Sequence, residues 1–185
     1  MKNSIITFLL VLMGCLTVQK AGAQAQAVAF STNTVMWATA TPNLEVRMPL
    51  SKTVSLHLPV MYNPWVWKEN SRTQQLTAMP GVRFWRQQCN VHYFFSVYGI
   101  ATRYHMGGWL DRKYRYDGTG FGAGIGAGYS RVLSRHWNFE CEFGFGAIWA
   151  DYDKCHWTKD SRLYAQRSRL ALIPTKFDLS FVYFY

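Results

Sequence analysis

The chain has 185 residues and a formal charge of +10, and it is 17% aromatic but only 16% charged. That length suits one domain or one small barrel, and so low a charged fraction, against roughly 25% in ordinary soluble domains, argues against a soluble enzyme. Mean hydropathy is −0.11, which excludes a bundle of membrane helices; the apolar residues must instead be spread by alternation, as membrane-crossing strands require.

The first segment, residues 1–23, reads as a secretory signal peptide. Lys2 supplies the positive start and Ile5 to Val18 the apolar run; Ala21-Gly22-Ala23 or Ala23-Gln24-Ala25 supplies the small-residue cleavage site. The run covers 14 residues, short of the roughly 18 a spanning helix needs. Leu12-Met13-Gly14-Cys15 is a loose lipobox that Met13 fits poorly. Removing Lys2 and Lys20 from the 20 basic residues leaves 18 against 10 acidic, a charge of about +8 on residues 24–185. No basic amphipathic helix or reading motif accompanies that charge, so nucleic acid is not an expected partner. Outer-membrane lipid and the phosphates of lipopolysaccharide are.

Eight strands follow. The first lies near 29–39. In the second, Leu44, Val46, Met48 and Leu50 alternate with Glu45, Arg47 and Pro49; in the third, Val54, Leu56, Leu58 and Val60 alternate with Ser55, His57, Pro59 and Met61. Weaker alternation marks strands near 76–86 and 91–104. From Thr119 to Arg131 every even position from Gly120 to Gly128 is glycine, between apolar residues such as Phe121 and Ile125. Alternate glycines weaken an open sheet, but inside a narrow barrel they leave room for large neighbours. Next, Trp137, Phe139, Cys141, Phe143, Phe145, Ala147 and Trp149 share one face, and Asn138, Glu140, Glu142, Gly144 and Gly146 the other. Two glutamates in an apolar soluble core would be costly; in an outer-membrane barrel the polar face is the lumen. The last strand alternates from Phe177 to Tyr185 and finishes on an aromatic residue, as bacterial outer-membrane barrels do. The predicted fold is therefore all-β, an eight-stranded antiparallel transmembrane β-barrel of the outer-membrane type.

Leu50 to Thr53, Trp85 to Asn90 and Leu133 to His136 are short, as periplasmic turns are. The stretches near 63–75, 105–118 and 152–168 are longer and more charged, as external loops are. Trp65, Trp67, Trp109 and Trp157 then fall outside and Trp85 and Trp137 inside, matching interfacial girdles. Of the cysteines beyond the signal, Cys89, Cys141 and Cys155 form no disulfide framework. With no paired-ligand spacing there is no expected metal site, and no cofactor is expected.

The lumen face should carry Glu45, Arg47, His57, Arg83, Glu140, Glu142, Lys176 and Asp178, a polar network that neutralises itself because a buried unpaired charge is expensive. Trp65, Trp67, Trp109, Arg112, Lys113 and Arg115 are the external binding candidates: aromatic faces suit carbohydrate and the basic cluster suits lipopolysaccharide phosphate. Catalysis on lipid A esters would need a histidine beside a serine and a carboxylate at the outer rim. His156 has Asp151, Asp153, Asp160 and Ser161 nearby in sequence and His105 has Asp111, but neither forms a compact His-x-Ser pattern.

Ser31-Thr32-Asn33-Thr34, Thr41-Pro42-Asn43-Leu44, Tyr62-Asn63-Pro64-Trp65, Arg83-Phe84-Trp85, Gly120 to Tyr129 and Pro174-Thr175-Lys176 follow one another along nearly the whole chain beyond the signal. In these the sequence resembles a family of small bacterial outer-membrane barrels classed only as a domain of unknown function. The resemblance implies an eight-strand barrel, often encoded near fimbrial or other adhesin genes, and no catalytic residues. Together these readings lead to the expectation of a cell-surface scaffold, with surface-fibre or adhesin proteins as partners, and of a lipid A-modifying outer-membrane enzyme, an acyl hydrolase or transferase, as the alternative.

Overall fold

The computed structural model describes residues 28–66, 72–107, 114–156 and 163–185; the predicted signal peptide lies outside them. The strands are β1 (Ala29–Asn33), β2 (Asn43–Pro49), β3 (Val54–Asn63), β4 (Arg72–Ala78), β5 (Gly81–Trp85), β6 (His92–Gly107), β7 (Tyr114–Val132), β8 (Trp137–His156) and β9 (Leu163–Phe184), with one short helix, α1 (Thr34–Ala38). All pairings are antiparallel. The sheet closes on itself because β2 pairs with β3 as well as with β1, and β1 pairs with β9. Among the described residues no helix is long and apolar enough to cross a membrane.

The predicted eight strands become eight staves built from nine segments. β4 pairs with the upper half of β3 and of β6, β5 with the lower halves, so the two share one stave that the sequence reading placed at 76–86. The interruption is Met79-Pro80. Proline has no N–H to give a ladder, and here its carbonyl accepts from Gly99 N at 2.8 Å while Met79 N donates to Pro59 O at 3.0 Å. The chain thus steps across the gap without abandoning either neighbour.

The first stave also departs from expectation. The strand predicted over 29–39 ends at Asn33, whose side chain accepts from Val35 N at 2.9 Å and starts α1. An asparagine that offers its own acceptor to the backbone two residues on favours a helix start over a continued ladder. In the other direction, strands run through much of what the charge suggested were loops: β6 to Gly107, β7 from Tyr114, β8 to His156 and β9 from Leu163. Each of these is paired residue by residue with its neighbour, as in His105↔Asp117 and Asp117↔Asp153. Composition marked exposure there, and exposure is compatible with a ladder.

Alternation sorts the side chains. Phe121, Ile125, Phe143, Phe145, Trp149, Leu172 and Phe177 point outward and are exposed, while Ser55, Ser96, Glu140, Glu142, Lys176 and Asp178 are buried inside. The outward rings pack on one another, with Phe143 edge-on to Phe145 at 4.8 Å between centroids and Phe139 to Phe181 at 5.5 Å. Trp85, expected in an interfacial girdle, is instead 4% exposed inside the barrel, where it packs on Phe94 at 4.6 Å and donates to Ser55 Oγ at 2.9 Å.

The glycines of β7 serve the inside. Tyr98 lies across one of them and one glycine of β8: a Cβ on Gly124 would stand 2.5 Å from its ring, and one on Gly144 of β8 would overlap its hydroxyl oxygen. Phe94 occupies the space over Gly128 in the same way. Gly124 and Gly128 of β7, with Gly144 of β8, therefore leave volume for aromatic plugs in a barrel otherwise too narrow for them.

Candidate functional site: a buried ion network beneath a cavity

The eight lumen residues predicted from alternation come from five strands and are all buried: Glu45 and Arg47 on β2, His57 on β3, Arg83 on β5, Glu140 and Glu142 on β8, Lys176 and Asp178 on β9. Arg47 binds Glu140 through both terminal nitrogens, at 2.8 and 2.7 Å, and Glu45 at 2.7 Å. A fork matched to a carboxylate is the strongest geometry available to such a pair. Arg83 is the hub. Its two terminal nitrogens reach Glu142 at 2.7 Å, Glu45 at 2.8 and 3.0 Å and Glu140 at 3.3 Å. Lys176 Nζ donates to Glu142 at 2.7 Å and lies 3.8 Å from Glu45.

Residues that alternation alone did not single out complete the network. Asn90 stands in the turn before β6 with φ of 70°, a left-handed conformation that asparagine tolerates well. From there its Oδ1 accepts from Arg47 at 3.0 Å and its carbonyl from Ser130 Oγ at 3.0 Å and Asn138 Nδ2 at 2.6 Å. Ser96 Oγ donates to Glu142 at 2.6 Å. Ser180 Oγ donates to Asp178. Aromatic rings face the cations: Trp85 below Arg47 at 5.5 Å, Phe94 against Arg83 at 4.7 Å and Tyr98 against Lys176 at 5.6 Å. The sequence marks Phe94 and Tyr98 only as strand residues and Trp85 as a girdle residue; the register that stacks the three rings on the charges decides their role.

His57 differs from the rest. Its Nδ1 is 3.6 Å from Glu45 Oε2, beyond hydrogen-bond distance, and neither ring nitrogen has a hydrogen-bond partner. The lumen therefore contains three fixed cations facing four carboxyl groups, with the imidazole packed beside them.

Above the network sits an apolar layer of Met61, Met79, Tyr98 and Ile100, with Met36 of α1 and Ile148 packed against it. Over that layer opens a cavity of about 550 Å³. Its lining includes Met36, Met61, Met79, Met106, Asn63 and Phe177. The sequence carried one signal of it: Met61 falls at an inward position of β3, among the polar residues of that face.

Of the external candidates, Trp65 is described and exposed, its indole nitrogen donating to Ala40 O at 2.5 Å. Trp67, Trp109, Arg112 and Lys113 lie outside the described residues, and Arg115 is placed by its backbone alone, opposite Cys155 on β8 and Gly107 on β6. His105 Nδ1 meets Asp117 Oδ1 at 2.6 Å; Asp111, its neighbour in sequence, lies outside the described residues. His156 is the last residue of β8.

Cys141 and Cys155 lie on the same strand, 14 residues apart, roughly 45 Å at about 3.3 Å per residue, so they cannot bridge. Cys89 is buried at the lower turn, where its thiol donates to Ser51 O at 3.2 Å and burial pushes its pKa up to about 11. Since only the thiolate reacts, Cys89 in the folded protein should resist maleimide from pH 7 to 9 and label quickly once the protein is denatured. Rapid labelling of native Cys141→Ser/Cys155→Ser protein would contradict that placement.

The fold and its interior define a closed eight-stave β-barrel whose lumen is blocked by a buried ion network. The chain belongs to the family described as Protein of unknown function (DUF3575), whose model matches residues 6–185. No curated protein and no solved structure matches it.

Proposed function

We propose that the protein is an integral barrel of the bacterial outer membrane that serves as a passive scaffold at the cell surface, accessory to the assembly or anchoring of surface fibres. The observation that carries the membrane reading is the inverted partition of residues. Phe121, Ile125, Phe145, Trp149, Leu170 and Leu172 are each more than half exposed, while arginines, glutamates and a lysine fill the interior. Water would punish that arrangement on both faces, since exposed apolar surface of this extent is unfavourable and buried charge is costly. Hydrocarbon outside and a self-paired network inside remove both costs.

A scaffold reading is favoured over a pore because Arg47 and Arg83, each 1% exposed, sit across the lumen. The fibre-assembly part draws on the adhesin genes near which the resembling family is often encoded. The start of β1, the end of β9 and the short turns share the lower end of the barrel, which we assign to the periplasm, leaving the long ends of β6 to β9 outside.

The test is migration in SDS gels of the protein from outer-membrane fractions, with and without boiling. A closed barrel in that membrane is expected to run faster unboiled. A protein found in the soluble fraction with no shift would overturn the membrane reading, and crosslinking in intact cells that captures no surface-fibre protein would overturn the accessory role.

A further inference from the structure

We propose that the methionine-lined cavity binds a single acyl chain, admitted through a gap in the barrel wall between α1 and the upper edge of β9. The gap follows from the strand lengths. β1 pairs with β9 from Ala29↔Phe184 to Asn33↔Ser180. Two side chains extend that contact slightly, Thr34 Oγ1 donating to Leu179 O at 2.7 Å and Asn33 Nδ2 to Phe177 O at 3.0 Å. Beyond Phe177 the chain of β1 continues as α1, whose Met36 lines the cavity, and the upper part of β9 pairs, among the described residues, with β8 alone. Phe177 stands at the sill. It is 53% exposed and packs on Phe143 of the outer face, at 6.4 Å between centroids, yet it also lines the cavity. The apolar exterior and the cavity are thus continuous at this point.

The lining selects the chemistry. Its polar side chains are largely committed to the protein: Asn63 Nδ2 donates to Thr41 Oγ1 at 3.0 Å and its Oδ1 accepts from Trp65 N at 3.2 Å, Thr175 Oγ1 shares a 2.7 Å hydrogen bond with Tyr98, and Lys176 is held by Glu142 at 2.7 Å. What remains to contact an occupant is chiefly the thioethers and methylenes of Met36, Met61, Met79 and Met106. Methionine side chains are unbranched and polarizable and adapt to flexible apolar partners. With Lys176 already neutralised, the floor offers no free charge for an anionic head, so the chain enters and the headgroup stays at the mouth. A volume of about 550 Å³ falls within the range of roughly 300–1,000 Å³ typical of small-molecule sites. A free fatty acid and a membrane lipid present the same chain.

The experiment uses the protein refolded into amphipol, titrated with the fluorescent fatty acid cis-parinarate and then with unlabelled palmitate. Saturable binding reversed by palmitate is expected. Met36→Trp and Met106→Trp fill the cavity from two sides without touching the ion network, and each is expected to weaken binding about tenfold or more while keeping the heat-shifted gel form. Repeating the displacement in nanodiscs separates the sources: loss of signal to added phospholipid identifies a membrane lipid, loss to palmitate alone a free fatty acid. Absence of saturable binding, or unchanged affinity in whichever filled variants fold, would overturn the proposal. Because the cavity is assayed in amphipol, these outcomes are independent of where the protein fractionates in cells.

Discussion

Arg83→Ala is expected to destabilise the barrel by about 3–5 kcal/mol, the usual cost of removing one partner from a buried ion pair. Arg83 touches three carboxylates, Glu45, Glu140 and Glu142, at 2.7 to 3.3 Å. Without it, four buried carboxyl groups face only Arg47 and Lys176. Water cannot restore the balance, because the side chains of Glu45 and Glu142 are 5% and 1% exposed. Against a typical total stability of about 5–15 kcal/mol, the loss should show as a large fall in the urea midpoint of the gel-shifted form in lipid vesicles. Arg83→Lys should recover only part of it, since an ammonium is a point charge and cannot bridge three carboxylates as a planar fork does. Arg83→Met combined with Glu142→Gln removes one charge of each sign and should be less damaging than Arg83→Ala. A midpoint for Arg83→Ala indistinguishable from wild type would show that the network is not held together by this residue.

Gly124→Leu should be comparably severe, for a steric reason. A Cβ at position 124 would lie 2.5 Å from Tyr98 Cε2, 2.8 Å from its Cζ and 2.9 Å from Phe145 O. Tyr98 has little freedom to retreat: it is 2% exposed and its hydroxyl is bonded to Thr175. Overpacking costs about 1–3 kcal/mol and occasionally more, and here two ring atoms and a backbone carbonyl are met at once. Tyr98→Ala alone should cost about 3–5 kcal/mol as a cavity-forming change. Combined with Gly124→Leu it gives the new side chain space, so the double variant should be more stable than the sum of the single costs predicts by about 1 kcal/mol or more. Rescue should remain incomplete, because Phe145 O does not move with the tyrosine. Strict additivity in urea titrations of the four proteins would mean that the glycine and the ring do not share a space.

The glycine pattern shows how far a one-dimensional signal reaches. Period two from Gly120 to Gly128 predicted a strand and room on its inner face, because side chains of a strand must alternate; that Tyr98 and Phe94 fill the room depended on a register between β6 and β7 that no local signal encodes. The same holds at the ion network. Its eight residues were legible from alternation, since charge opposite an apolar face has to go inside a barrel. Asn90, Ser96 and the aromatic rings under the cations were not, because each enters through a turn or a register rather than a pattern.

Two corrections have a common cause. The helix after Asn33 and the break at Met79-Pro80 both replace ladder hydrogen bonds with others, from an asparagine side chain in one case and from Gly99 and Met79 backbone groups in the other. Apolar periodicity records which way a side chain points and says nothing of where a backbone bond goes. Charge likewise suggests loops where β7 and β8 in fact continue with each residue opposite a partner.

By itself the sequence determined the class of structure: alternation over eight segments, inner glycines and inward charges are each physical requirements of a narrow barrel with an apolar exterior. The tertiary structure decided what those requirements leave open, namely which carboxylate each arginine holds, where the wall is short, and that four methionines distant in sequence meet above the network. Such contacts join residues as far apart as Arg47 and Glu140, and only closure of the sheet, which fixes all registers together, brings them within reach.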